Sequence, residues 1–182
     1  LANQQLAKRR GLSLRVLPLE ASGVVDLQAA AQIIGPRTRV LAVSQLSNVF
    51  GAWQPLSPLL ALARAQGAIT VVDGAQGVVH GRHDVEHMQC DFYVFSSHKL
   101  YGPDGVGVLY GRREALQKLA HWQFGGEMVH QADYQSASFH PAPLGHEAGT
   151  PPIASVIGLG ATLDYLSGLD AQAVAEHEAG TG

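Results

Sequence analysis

The sequence predicts an α/β domain built on a doubly wound, mostly parallel sheet. Three observations carry that expectation. Short apolar runs, VLAVS (40–44), AITVVD (68–73) and DFYVFS (91–96), recur along the chain. Each is long enough for a buried strand and too short for a helix. Helical connections of about ten residues alternate with them, the pattern that yields parallel strands, and glycine and proline punctuate the boundaries.

Taken in order, residues 1–10 read as the tail of a helix that ends at Gly11, with Lys8, Arg9 and Arg10 in its last turn, where a helix C-terminus favours cations. No N-cap precedes it, so the chain is expected to begin inside an element. LSLRVLPL (12–19) alternates and contains a proline near its end, which predicts a strand. Asp26 is placed to N-cap the helix LQAAAQII, closed by Gly35-Pro36. After VLAVS and the loop QLSNVFGAWQP, Ser57 and Pro58 offer an N-cap and an N1 proline to LLALARAQ, and Gly67 a C′ residue. GVGVLYG (105–111) predicts a further strand and REALQKLA a short helix. Residues 122–149 lack periodicity, and a loop of that length is usually functional or rests on a partner. IASVIGLGATLDYL predicts a helix apolar around most of its circumference, hence buried on several sides. The AEHEAGTG end stops abruptly and is compatible with a few appended residues.

Composition bounds the partners. The 182 residues suffice for one hydrophobic core, with 46% apolar and 15% charged residues as in ordinary strand-rich domains. A net charge of -3 and a pI near 6.3 argue against nucleic acid or anionic membrane as partner. Lys8-Arg9-Arg10, the one dense basic cluster, reads as a solvated helix end. The single cysteine, Cys90, excludes an internal disulfide framework and fits a reducing compartment. No apolar run approaches a bilayer span and no signal segment is evident, so a cytoplasmic setting is expected.

In an open parallel sheet, ligands bind beyond the carboxyl ends of the strands. Ser44, Asp73 and Ser96 fall at such ends, so Asn48, Gln76, His98 and Lys99 converge on one rim. A lysine and a carboxylate at adjacent strand ends are the two groups a pyridoxal phosphate site most needs. The lysine forms a Schiff base, and the carboxylate keeps the pyridine nitrogen protonated so that the ring acts as an electron sink. Ser96 and His98 can donate hydrogen bonds to the phosphate. Gln76, three residues beyond Asp73, can reach the phenolic oxygen. Singly, Asp73 also reads as a carboxylate capping the next turn, and Lys99 as a solvated surface lysine. Their joint occurrence favours the cofactor.

VVDGAQG, followed by CDFYVFSSHKLYGPDGVGVLYG and later by EAGTPPI, resembles the class V aminotransferase superfamily of fold-type I enzymes, and more narrowly its cysteine desulfurase and cysteine sulfinate desulfinase group. The likeness extends over nearly the whole chain, including QLSNVFG and the GGEMV loop. It implies that Lys99 holds the cofactor covalently, Asp73 pairs with the pyridinium nitrogen, Gln76 bonds the phenolic oxygen, and Ser96 and His98 hold the phosphate. It further implies that Thr150 reaches the phosphate of a neighbouring subunit's cofactor in a homodimer, and that Asn48 lies near the substrate. In such enzymes a mobile cysteine attacks the substrate sulfur, giving alanine and a persulfide that passes to an acceptor protein.

There are departures. Ser97 stands where the family usually has glycine, a change that is tolerated unless φ is positive. Pro152 replaces a common asparagine, and His146 a common aromatic or aliphatic residue. By the same likeness, the first phosphate-binding turn and a ring-stacking histidine precede Leu1, and the nucleophilic cysteine and a carboxylate-binding arginine follow Gly182. Cys90 reads instead as a small buried hydrophobe.

Other signals carry less. His83, His87 and Cys90 lack the second ligand pair of a structural zinc site. GPDGVG leads into a strand and not the helix of a nucleotide loop. Trp53 and Trp122 read as core or interface packing before channel walls. The expectation is therefore residues 1–182 as one incomplete domain: the central part of a fold-type I large domain, a mostly parallel sheet flanked by helices and truncated at both ends. The expected activity is pyridoxal phosphate-dependent removal of sulfur, selenium or sulfinate from cysteine-type amino acids. The alternatives are another member of the superfamily, kynureninase-like or an aminotransferase, or a chain that is inactive as it stands.

Overall fold

In the computed structural model, which describes residues 2–181, a four-stranded sheet has the order β1 (Val40–Ser44), β2 (Ile69–Asp73), β3 (Phe92–Ser96), β4 (Gly107–Gly111). The first three strands are parallel, and β4 runs antiparallel to β3. The connection over 97–106 decides that last direction, because a parallel return needs a crossover of roughly a dozen residues or more. Thr70 and Asp91 pin β2 to β3 where both begin. Asp91 Oδ2 accepts from the Thr70 amide and hydroxyl, and the Asp91 amide donates to Thr70 Oγ1, all at 2.8 Å.

The core lies on one side of this sheet. α3 (Leu56–Ala65) buries Leu56, Leu59, Leu60 and Ala63, the i, i+3, i+4, i+7 stripe of an amphipathic helix. Leu59, Ala63 and Leu41 join Val25, Ala30 and Ile34 around α2 (Leu27–Ile33). Leu56 and Leu60 pack instead with Val72, Cys90 and Tyr93. Leu59 and Leu60 are wholly buried, a contribution of roughly 2 kcal/mol each from apolar area. Successive strand residues face opposite sides, and on the other side Val40, Ile69 and Leu109 stay about half exposed. The helical cover expected from sequence is therefore uneven among the described residues: α2 and α3 cover one face, while on the other Phe92 is buried beside Leu116.

Several caps form as their residue types dictate. α1 (Ala2–Arg10) ends at Gly11 with φ +63°, and Gly67 closes α3 with φ +68°. Asp26 Oδ1 accepts from the Gln28 and Ala29 amides at 2.8 and 3.0 Å. α4 (Val85–Met88) is a single turn capped by Asp84.

Five expectations are corrected. LSLRVLPL pairs with no strand and makes only the isolated Leu19–Val25 bridge, so its alternation has no neighbouring backbone to bond, and Leu12, Leu14 and Val16 are exposed. α3 starts at Leu56 behind Pro55, without a side-chain cap bond, so Ser57 and Pro58 sit inside its first turn, where proline is tolerated. REALQKLA shortens to α5 (Arg113–Leu116). The aperiodic 122–149 segment contains a hairpin, β5 (Val129–Ala132) with β6 (Ala137–Phe139). Asp133 caps its turn by accepting from Gln135 and Ser136, and these bonds hold its carboxyl below the ordinary range. The long apolar helix, α6 (Ile153–Ser167), buries only Leu159 and leaves Ile153, Val156, Ile157, Leu163 and Tyr165 exposed.

Neither Trp53 nor Trp122 lies in the core, at 44% and 85% exposure. Cys90 is fully buried, and burial pushes its thiol up. The chain closes with α7 (Ala171–Thr181). No helix among the described residues is long and apolar enough to cross a membrane.

Candidate functional site

The parallel register sets the rim. Ser44 pairs with Asp73, and Asp73 with Val94, two residues before the end of β3. Adjacent strands lie about 4.8 Å apart, so the segments leaving β1, β2 and β3 emerge side by side. Asn48 sits exposed in the turn after β1, which Ser47 Oγ stabilises by accepting from the Val49 and Phe50 amides.

Asp73 opens a tight turn. Its Oδ1 accepts from the Ala75 amide at 3.0 Å, so the plain capping role does occur, yet it uses a single oxygen. Oδ2 takes no hydrogen bond among the described residues. The Gly74 amide donates to the Val94 carbonyl at 2.9 Å and the Val78 amide to the Gly74 carbonyl at 2.8 Å. Gln76 is half-buried within this turn.

Lys99 leaves β3 on a single 3-10 turn over residues 97–100. Ser97 and Leu100 point inward and are buried, so His98 and Lys99 face out between them. His98 Nδ1 lies 3.9 Å from Asp104 Oδ1, and with Asp104 95% exposed that contact holds the ring only weakly. Tyr101 closes the turn in the left-handed region at φ +61°.

Ser97 is not in that region, so the side chain fits where the related pattern has glycine. Its hydroxyl is nonetheless fully buried without a partner. Gly102 leaves it room, since a Cβ there would fall 2.2 Å from Ser97 Oγ. Ser97→Ala should therefore raise stability by about 1 kcal/mol, the cost of an unpaired buried hydroxyl. Denaturant midpoints of the two proteins check this.

One helix is in contact with the segments that follow both turns. Pro103, just past Lys99, lies against α6, where a Cβ at Gly158 would come 2.9 Å from Pro103 Cγ. At the other end of α6, the Arg82 guanidinium donates to the Leu166, Ser167 and Leu169 carbonyls at 3.2, 3.3 and 2.8 Å. These carbonyls lie in the last turn of α6 and just past it, where a helix leaves acceptors without intrahelical partners. His80 adds a 3.1 Å contact with Glu178 on α7. The segment leaving the Asp73 turn is thus held to the helix that backs the Lys99 turn, through Arg82, a residue that sequence reading passed over.

Thr150 stands apart. It is exposed in the loop before α6, whose Gly149 amide donates to the Gly126 carbonyl at 2.9 Å. No hydrogen bond or ion pair joins it to Asp73, His98 or Lys99. His146 is occupied by the Leu116 carbonyl at 3.1 Å, and Pro152 takes the N-cap position of α6.

Two open clefts among the described residues lie away from this rim. A cleft of about 300 Å3 opens at the start of β2 and β3, lined by Ile69, Asp91, Arg112 and Lys118. Another of about 360 Å3 lies beside Arg82, His83 and His87. At the strand-end rim Asp73, His98 and Lys99 are exposed. Its donor set suits pyridoxal phosphate: a carboxylate with one oxygen spare, an exposed amine, an imidazole and a hydroxyl for phosphate, and a glycine-bearing turn.

The chain is similar to several known proteins. The family model described as Aminotransferase class-V matches residues 1–181. A probable cysteine desulfurase of Pseudomonas putida is 76% identical over 97% of the chain and 44% of that protein's length. A cysteine desulfurase of Dickeya dadantii is 47% identical over 96% of the chain and 43% of that protein. Among solved structures, the cysteine desulfurase CsdA of Escherichia coli superposes with a TM-score of 0.89 at 43% identity, covering 92% of this chain and 42% of that one. The apo cysteine desulfurase of Thermococcus onnurineus gives 0.85 at 32% identity, over 94% and 42%. The chain thus spans less than half the length of these relatives.

Proposed function

The chain belongs to the class-V aminotransferase family, and from that premise we propose that it is the central part of the cofactor-binding domain of a pyridoxal phosphate-dependent cysteine desulfurase. The observation that carries this reading is the pairing of the Asp73 turn with the Lys99 turn at neighbouring parallel strand ends, in a chain 76% identical to a probable cysteine desulfurase. Family and relatives depend on pyridoxal phosphate in general.

When bound, the cofactor supplies an electron sink for bonds at the substrate's Cα. Lys99 would hold it through Nζ and, once released, would carry protons at the same atom, which its exposure allows. Asp73 would keep the ring nitrogen's proton in place with Oδ2, while Oδ1 stays bonded to the Ala75 amide. Gln76 would donate to the phenolic oxygen. Ser96 and His98 would donate to the phosphate, His98 giving up its long contact with Asp104. Asn48, on the neighbouring turn, would face the amino acid substrate. The sulfur-accepting cysteine is not Cys90, because a fully buried thiol whose pKa is raised is a poor nucleophile.

A homodimer in which Thr150 reaches the partner's phosphate fits the exposure of Thr150 and of the apolar side chains on α6. The lone buried cysteine supports a cytoplasmic setting, and an acceptor protein would take the sulfur. The decisive assay incubates the full-length protein with cysteine and no keto acid. Equimolar alanine and sulfur release is the expected result. Amino transfer that requires a keto acid and releases no sulfur overturns the reading.

A further inference from the structure

The Asp73 turn rests on a buried polar pair. Tyr93 on β3 is 3% exposed, and Gln45, the first residue past β1, is 4% exposed. The Tyr93 hydroxyl donates to Gln45 Oε1 at 2.7 Å. The two glycines of DGAQG lie directly on this pair. A Cβ at Gly74 would fall 1.9 Å from Tyr93 Cζ, and one at Gly77 would fall 2.1 Å from Gln45 Oε1. Neither glycine has positive φ, so close approach is the reason for their lack of a side chain. The Gln45 backbone amide also donates to the Asp73 carbonyl at 2.8 Å, which joins one member of the pair to the backbone of the carboxylate itself.

We propose that Tyr93 and Gln45 are positioning residues for Asp73 and Gln76, the hydrogen-bonded pair setting the height and tilt of the turn that presents both side chains to the cofactor. The proposal rests on the cofactor reading above and adds to it residues that touch neither cofactor nor substrate. Leucine and phenylalanine would fill the same space, but they would leave the turn free to slide. A directional bond between two buried groups fixes one rotamer of Gln45, and with it the surface on which Gly77 lies. Burial, helped by the negative charge of Asp73, pushes the Tyr93 phenol up to about 12. The phenol therefore keeps its proton well into the alkaline range and remains a donor to Gln45 Oε1.

The test uses the full-length protein with Tyr93→Phe, Gln45→Met and the double substitution. Each single variant should bind pyridoxal phosphate about tenfold more weakly and melt at a lower temperature, since one buried partner is left unpaired. The double variant, with no unpaired group, should recover its melting temperature but not its cofactor affinity. In cofactor-free protein, exchange of the Ala75 amide, which reports its bond to Asp73 Oδ1, should be about tenfold faster in all three. If affinity and Ala75 exchange return to normal in the double variant together with stability, the pair is only structural and the proposal fails. Failure of the cofactor reading has a separate signature, the absence of a borohydride-fixed label on Lys99 in the unmodified protein. In that event Ala75 exchange still decides whether the pair holds the turn.

Discussion

Lys99→Ala should abolish attachment of pyridoxal phosphate while leaving the fold intact. The lysine is exposed on its 3-10 turn, and the buried neighbours Ser97 and Leu100 anchor that turn without it. A surface substitution of this kind shifts stability by no more than about 0.5 kcal/mol. The chemical loss is of another order, because the variant lacks both the amine that holds the cofactor and the group that moves protons, and proton transfer alone is worth roughly 10²–10⁴ in rate. The check is to incubate the unmodified and variant proteins with pyridoxal phosphate, reduce with borohydride, map the label by mass spectrometry and compare melting temperatures. The unmodified protein should carry the label on Lys99, and the variant should show neither label nor the cofactor's absorption near the visible edge. If Lys99→Ala instead unfolds the protein, the lysine's role is structural.

Asp73→Asn should separate geometry from charge. The amide oxygen can still accept from the Ala75 amide, so the turn is kept. What disappears is the negative charge at Oδ2, the group proposed to keep the ring nitrogen protonated. Loss of one such electrostatic contact costs about 10²–10³ in kcat. Lys99 should still label, because attachment needs the amine and not the carboxylate. A kcat within a factor of about three of the unmodified protein, far below that range, would show that Asp73 does nothing more than cap its turn.

These outcomes follow from parts of the molecule that the sequence displays unevenly. Strand runs, the Asp26 cap and the glycine stops at 11 and 67 depend on residues close in sequence, and each forms as its residue types require. LSLRVLPL shows the limit of local pattern, since alternation becomes a strand only where another strand offers its backbone. The β5–β6 hairpin was invisible for the converse reason. Its strands are short and mostly exposed, the Asp133 turn closes it, and the packing of Phe139 with His121 and Phe124 sits behind it, contacts that no periodicity announces.

The candidate site divides along the same line. By itself the sequence determined which residue types stand at the three strand ends, because strand period and loop position follow from local composition: Asn48, Asp73 with Gln76, and Ser96 through Lys99. Tertiary structure alone decided what lies beneath and behind them. The Tyr93–Gln45 pair under Gly74 and Gly77 and the Arg82 bonds to the end of α6 join residues from separate elements, and the Ser97 hydroxyl is left unpartnered where such elements meet. Such contacts depend on how packed layers meet, and that is set by the whole fold and not by any stretch of chain.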